Sequence, residues 1–395
     1  MTVEAEEFAL SGSCCSSGSE PGLSRRGLLG ALGIGAVAAG VAACSGPSAG
    51  AGAQTGPVSN LDADGPFGPL ELVLLGTKAG PPIVPSRAGI STALVIDGAT
   101  YVIDCGRSST TQFARAGLRF DGLRSIFITH LHADHIADYY NYFLLAGSIP
   151  NQETRDALAN PVSVFGPGPA GGLPEKFGGG QAPTVSAEDP TPGLAAFTEK
   201  CHDAFAYSSN VFLRDTGIRD IRTLVDVHEI AVPDVGASYT MTSPRMDPFP
   251  VMEDDHVAVT AVLVPHGPVF PSFAFRFDTA HGSVTFSGDT SYSDNLIALA
   301  RGSDVLVHEA INVQGPNVSL PPAAMDHMLQ SHVEVQKVGA IARAAGVRTL
   351  VLSHLSDFDE EPLDPVRWRK WIEPEFDGEI VIGDDLQRIP IPSSL

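Results

Sequence analysis

Apolar residues come along this chain in short runs separated by glycine, proline and polar clusters, and the runs alternate between two periods. Leu70–Leu75, Thr92–Ile96 and Tyr101–Asp104 read as strands, with Asp97-Gly98 as the tight turn between the second and third. Ser108–Ala116 reads as a helix, Arg124–Ile128 as a buried strand, and the stretch from Ile136 to about Leu145 as a second helix. Val162–Phe165 is a further short strand, and Leu194–Tyr207 a helix inside an otherwise irregular, Gly/Pro-rich segment from Pro167 to about Asp247. The second half repeats this grammar. Strands are expected at Val257–Val264, Ser272–Phe277, Ser283–Ser287, Asp304–His308, Thr349–Leu352 and Glu379–Ile382, and helices at Asn295–Ala300, Val333–Ala344 and Pro365–Ile372. Periodicity alone therefore predicts an α/β fold.

The amino-terminal part changes the picture of where such a domain works. Ser24-Arg25-Arg26-Gly27-Leu28-Leu29 precedes an Ala/Gly-rich apolar stretch that ends in Val41-Ala42-Ala43-Cys44. This resembles a twin-arginine export signal with a lipobox, which makes Cys44 the expected lipidated residue. The apolar stretch is too short and too weakly apolar for a good transmembrane helix. Residues 1–44 are thus expected to be the signal, 45–66 a flexible tether rich in Gly, Ala, Ser and Pro, and 67–395 the catalytic domain. The segment 167–247 is expected to be an insertion beside the site that sets specificity. An exported protein would sit on the outer face of the cytoplasmic membrane or in a periplasm. Of the five cysteines, Cys105 and Cys201 remain in the mature body, and the strand position of Cys105 favours a buried free thiol over a disulfide.

The formal net charge is −22. Such acidity opposes a polyanionic partner, which needs Lys and Arg against its phosphates, but not a small anion drawn by metal ions.

The most informative run is Thr129-His130-Leu131-His132-Ala133-Asp134-His135. It lies between a strand and a helix, where side chains converge, and it mixes imidazole nitrogen with carboxylate oxygen, a ligand set suited to zinc. Further along come His266 after Val257–Val264, Asp289 after Ser283–Ser287, and His354 after Leu350–Leu352. The ordered set resembles the metallo-β-lactamase fold superfamily. Leu75-Gly76-Thr77, Ser86-Arg87, Asp104-Cys105-Gly106, His308-Glu309-Ala310 and Ser331-His332 narrow the resemblance to its RNase Z branch, which includes arylsulfatase-like and phosphodiesterase-like members.

That resemblance implies an αβ/βα sandwich of four layers, two mixed sheets with helices outside. It implies that His130, His132 and His266 hold one metal, that Asp134, His135 and His354 hold a second, and that Asp289 bridges them. Two zinc ions are expected, with iron or manganese as alternatives. Hydrolysis of an ester by a metal-bound hydroxide follows, with Asp134 orienting the nucleophile. His332, paired with Glu309, is expected to donate a proton to the leaving oxygen; a structural Glu–His brace is the alternative.

Two departures bear on substrate. Ile311 stands where the branch has Thr, and Val333-Glu334 replace a Ser-Thr pair. No basic arm of the kind a transfer-RNA substrate needs is visible. The expected substrate is therefore a small anionic ester, a phosphodiester first, then a sulfate ester, then a lactone; a non-catalytic binding lipoprotein is the alternative from another class. Transfer RNA is not expected as a partner, and a homodimer is compatible with the resemblance. His202, His228, His256, His281 and His327 lack flanking motifs. Met325 and His327 are candidates for the substrate mouth, Phe270, Pro271 and Phe273 for packing, and Arg87 for anion contact or a surface ion pair.

Overall fold

Leu70, Leu72 and Leu74 of the first strand enter one apolar cluster, and Val73 and Leu75 of the same strand enter another. Both faces of the strand are buried, which is why it reads as a continuous apolar run and not as an alternating one. The computed structural model describes residues 65–150 and 154–392. The expected signal, Cys44 and the tether as far as residue 64 lie outside the described residues.

The strands, in chain order, are β1 (Leu70–Gly76), β2 (Ser91–Ile96), β3 (Ala99–Ile103), β4 (Leu123–Phe127), β5 (Val162–Gly166), β6 (Val225–Glu229), β7 (Phe249–Glu253), β8 (Val257–Leu263), β9 (Phe273–Thr279), β10 (Gly282–Phe286), β11 (Val305–Asn312), β12 (Thr349–Asp357), β13 (Glu379–Ile382) and β14 (Gln387–Pro390). They form two seven-stranded sheets, ordered β14-β1-β2-β3-β4-β5-β6 and β13-β12-β11-β10-β9-β8-β7. Each sheet is mixed. Pairing is parallel from β3 to β6 and from β10 to β13, and antiparallel elsewhere.

The inner faces meet in one core, where Leu94, Tyr101 and Phe127 of the first sheet join Phe275, Phe277 and Val284 of the second. Helices α1 (Ser109–Arg115), α2 (Ala133–Ile136), α3 (Asn141–Leu144) and α4 (Leu194–Ala204) lie along the first half of the chain. Phe113, Tyr142, Phe143 and Leu194 from these helices cover the outer face of the first sheet. After α5 (Ala206–Thr216) come α6 (Asp294–Leu299), α7 (Pro322–Ser331), α8 (Val335–Ala345) and α9 (Pro365–Ile372). Leu296, Ile341 and Trp368 join the cluster of the second sheet. The result is the four-layer sandwich expected from the sequence. No helix among the described residues is long and apolar enough to cross a membrane.

Several elements differ from the sequence-based expectation. The stretch Ile136–Leu145 is not one helix: α2 ends at Ile136, a turn follows, and only Asn141–Leu144 is helical, because the backbone bonds elsewhere. Cys105 N–H donates to the His135 carbonyl (2.7 Å), and Asp138 N–H donates to the Cys105 carbonyl (2.9 Å). Leu194–Tyr207 likewise divides at Phe205 into α4 and α5. The segment 167–247, read as irregular apart from one helix, also supplies β6, paired with β5 at the edge of the first sheet. The strand at Asp304 runs to Asn312 and the one at Thr349 to Asp357, carrying Glu309 and His354 within strands. Cys105 and Cys201 are both free.

Candidate metal centre

The parallel strands all deliver their carboxyl ends to one rim, and the chemistry-bearing residues sit there. His130 follows β4, His132 immediately precedes α2, and Asp134 and His135 lie within α2. His266 follows β8, Asp289 follows β10, and His354 lies in β12. Gly288 has φ 58°, and a Cβ there would lie 2.4 Å from the Phe273 carbonyl, so only glycine lets the chain turn Asp289 inward. The register of β11 against β12 slips between His308 and Ala310, and His354 takes φ 57°. This left-handed backbone in a non-glycine residue re-aims Glu309 and His354 toward the rim.

All seven residues assigned as ligands from the sequence come together. Oδ2 of Asp289 lies 3.1 Å from Nε2 of His354, 3.3 Å from Nε2 of His135, and 3.8 Å from Nε2 of both His130 and His266. Oδ2 of Asp134 lies 3.4 Å from Nε2 of His354 and 3.6 Å from Nε2 of His135. Nδ1 of His132 lies 3.2 Å from Nε2 of His266. Ligands about 2.0–2.2 Å from a tetrahedral ion stand about 3.3–3.6 Å apart, so these spacings suit shared cations.

Tautomers give a second test. His266 Nδ1–H donates to the Ser331 carbonyl (2.8 Å), and His135 Nδ1–H donates to Oδ2 of Asp104 (2.8 Å). The Thr129 hydroxyl donates to Asp104 (2.9 Å), so its 3.0 Å contact with His130 Nδ1 accepts. In the neutral rings each Nε2 is thereby left as a lone pair facing the rim; for His135 burial opposes charge, but the carboxylates of Asp289 and Asp104 outweigh it and push its pKa up, the place a cation would otherwise take. Nε2 of His130 and of His135 are buried and without a hydrogen-bond partner, as is Oδ1 of Asp289. Buried lone pairs that face one another are costly unless a cation lies between them. Burial, reinforced by neighbouring imidazoles, holds His130 and His266 well below the ordinary histidine range, which keeps them neutral as ligands must be. Burial alone would raise the carboxyls of Asp134 and Asp289, but the surrounding histidines hold both low. The donor set fits two divalent ions: His130, His132, His266 and Asp289 would hold one, and Asp134, His135, His354 and Asp289 the other.

Asp104 carries a role that the sequence left unassigned. The motif Asp104-Cys105-Gly106 was visible, but only the fold brings Asp104 to His135 and Thr129, and the Thr129 N–H also donates to it (2.8 Å). Asp104→Asn is expected to weaken metal affinity by about 10–100-fold, measured by competition with a chelator. Unchanged affinity would contradict the orienting role. Gly80 similarly holds Asp134, with its N–H 2.9 Å from Oδ2.

His332 and Glu309 are also brought together. Nδ1 of His332 lies 3.4 Å from Oε2 of Glu309, whose Oε1 accepts from the Val333 N–H (2.8 Å). Burial opposes charge on His332, but the Glu309 carboxylate outweighs it and carries its pKa up to about 9. His332 stacks on His354 with ring centroids 5.7 Å apart, and it lies within ligating reach of Asp289 and His354.

Two clefts reach this rim. One, of about 950 Å³, has His132 in its wall, together with Leu131, Ile136, Phe197, Phe270 and His327. The other, of about 720 Å³, has His332 in its wall, with Met325, Tyr292 and Lys337. Helix α7 lies between them, giving Ala324 and His327 to the first and Met325 and Leu329 to the second. His327, Phe270 and Pro271 thus line a cleft, Met325 lines the other, and Phe273 is buried core. Arg87 donates to Thr77 Oγ1 (2.9 Å). His202 meets the Tyr140 hydroxyl (2.6 Å), and His281 meets Asp97 (2.8 Å), both away from the rim. His228 lies 3.0 Å from Asp226, and His256 lies 3.6 Å from Asp255.

Comparison with known proteins agrees with this geometry. A family model described as anti-Pycsar protein Apyc1 matches residues 71–142. Ribonuclease Z of Mycobacterium bovis is 30% identical over 329 residues, covering 82% of this chain and 98% of that protein. Ribonuclease Z of Mycobacterium avium is 30% identical over 327 residues, covering 82% and 98%. The structure of human short-form tRNase Z matches with a TM-score of 0.53 at 21% identity, over 82% of this chain and 99% of that one. The metallo-β-lactamase fold protein YhfI of Bacillus subtilis matches with a TM-score of 0.52 at 17% identity, over 82% and 100%; at these identities both structures speak to the fold. The chain therefore belongs to the ribonuclease Z-like family of metal-dependent hydrolases with the metallo-β-lactamase fold.

Proposed function

We propose that this protein is an exported, lipid-anchored hydrolase that uses two divalent ions, zinc first, to cleave a small phosphodiester. The observation that carries the reading is the position of Asp289, whose one oxygen lies 3.1–3.8 Å from imidazoles of both ligand groups. Held by His130, His132, His266, Asp134, His135, His354 and Asp289, two ions would lower the pKa of water toward neutrality and offset charge on the ester oxygens. The chain's own residues do the rest. Asp134 orients the attacking water. Glu309 holds the His332 imidazole, and His332 keeps a proton for the leaving oxygen. Two clefts beside His132 and His332 give room for two organic arms, which a phosphodiester has and a sulfate monoester lacks.

The ribonuclease name of the relatives weighs toward RNA. Against it stand the net charge of −22 and the walls of the larger cleft, where Lys176 is the one Lys or Arg among the described residues lining it. Turnover of bis-p-nitrophenyl phosphate, p-nitrophenyl sulfate and a precursor transfer RNA separates these readings. Cleavage of the diester above the other two is expected. Cleavage of the RNA or the sulfate alone would overturn the proposal.

The anchor is tested separately. Cys44→Ala is expected to move the protein from the membrane fraction to the soluble one, because a lipid chain contributes about 0.8 kcal/mol per buried methylene. Retention at the membrane would contradict lipidation.

A further inference from the structure

We infer that one organic arm of the substrate is a bulky aromatic group, and that it lies in the cleft beside His132, on the far side of α7 from His332. The inference rests on the phosphodiesterase reading and narrows it.

The cleft begins at the metal-ligating run itself. Leu131 and Ile136 flank the ligands in sequence, and both line the cleft with His132. Neither is fully buried, although each follows or precedes residues that are. Their apolar surface faces the cleft at the point where a reacting ester would enter it. Farther out, the walls come from Phe177, Phe197 and Phe270, with the His327 ring edge-on to Phe177 at 5.1 Å. The charged residues of the lining, Glu175 and Lys176, are both exposed.

Prolines from several loops complete the walls, among them Pro167, Pro192, Pro268 and Pro321. Each fixes its own φ, which reduces the ordering entropy lost at these positions on binding. Its volume of about 950 Å³ lies in the range of small-molecule sites. An aromatic arm buries apolar area against such walls. A ribose or a polar base would lose water against walls whose polar side chains are few, Thr191, His327, Glu175 and Lys176 beside the metal-site residue His132.

The proton donor decides which arm this is. His332 lines the other cleft, so the leaving oxygen lies on that side and the aromatic arm stays on phosphorus. Water oxygen bonds to phosphorus, the bond to the leaving oxygen breaks, and that oxygen takes a proton. The products are an aryl phosphate monoester and an alcohol.

The test is a series of p-nitrophenyl phosphodiesters with one common leaving group and a second arm that is methyl, phenyl, 2-naphthyl or 5′-thymidyl. kcat/KM is expected to rise by at least about tenfold from methyl to naphthyl, with the thymidyl ester below the phenyl one. In Ala324→Trp, which fills the cleft from an α7 position, the naphthyl-to-methyl ratio is expected to fall toward one. A flat series in the wild type, or a preference for the thymidyl arm, would overturn the inference. If no ester is turned over, the hydrolase reading fails, and the cleft is still tested by calorimetry with methyl 2-naphthylphosphonate against dimethyl phosphate. Tighter binding of the naphthyl compound, lost in Ala324→Trp, supports the cleft; equal binding refutes it.

Discussion

Asp289→Ala is expected to lose at least one of the two ions and to reduce phosphodiester turnover by more than about 10³-fold. Removing a single donor that stabilises a transition state typically costs about 10²–10³-fold. Asp289 does more, because its Oδ2 lies within 3.8 Å of the Nε2 atoms of His130 and His266 in one ligand group and of His135 and His354 in the other. Without it, the clusters of His130, His132 and His266 and of Asp134, His135 and His354 have no shared ligand. Four imidazole nitrogens also lose the carboxylate that favours a cation among them, in a site where Asp289 is only 2% exposed. Elemental analysis of purified protein and steady-state kinetics check both parts. Two ions per chain with turnover within tenfold of wild type would contradict the bridging role.

The second large effect belongs to His332 and depends on the leaving group. With an alkoxide leaving group, His332→Ala is expected to reduce kcat by about 10²–10⁴-fold, the usual contribution of a positioned general acid. With p-nitrophenolate, which leaves without a proton, the loss is expected to stay within about tenfold. Equal losses on both would favour a brace over a proton donor. Metal content separates a third role. His332 shares a possible ligand group with Asp289 and His354, so loss of an ion in His332→Ala would make it a ligand.

The residues that the structure gathers at the rim were legible because their signal is local. His130, His132, Asp134 and His135 are fixed by one strand-to-helix turn, and the later ligands each end or interrupt a strand with its own apolar signal. What stayed hidden depends on distant neighbours. Asp104 supports His135 across 31 positions, and nothing in its local run marks it as an orienting group. Helix α7 has Ser331 as its buried residue, so it lacks the apolar stripe that announces a helix, yet it divides the two clefts. Strand β6 alternates, but over only five residues, and its two valines are only half-buried at a sheet edge, so the signal is too short to stand out. The apparent helix from Ile136 was misread because Tyr139, Tyr142 and Phe143 are all buried, while the backbone at His135 and Asp138 bonds to Cys105.

Crystals of the metal-loaded protein, with diffraction recorded at the zinc absorption edge, test the two-ion centre most directly. Two anomalous peaks are expected about 3.5–4 Å apart, one among His130, His132 and His266, the other among Asp134, His135 and His354, with Asp289 touching both. A single peak, or two peaks that Asp289 does not share, would contradict the bridged centre on which the proposed chemistry depends.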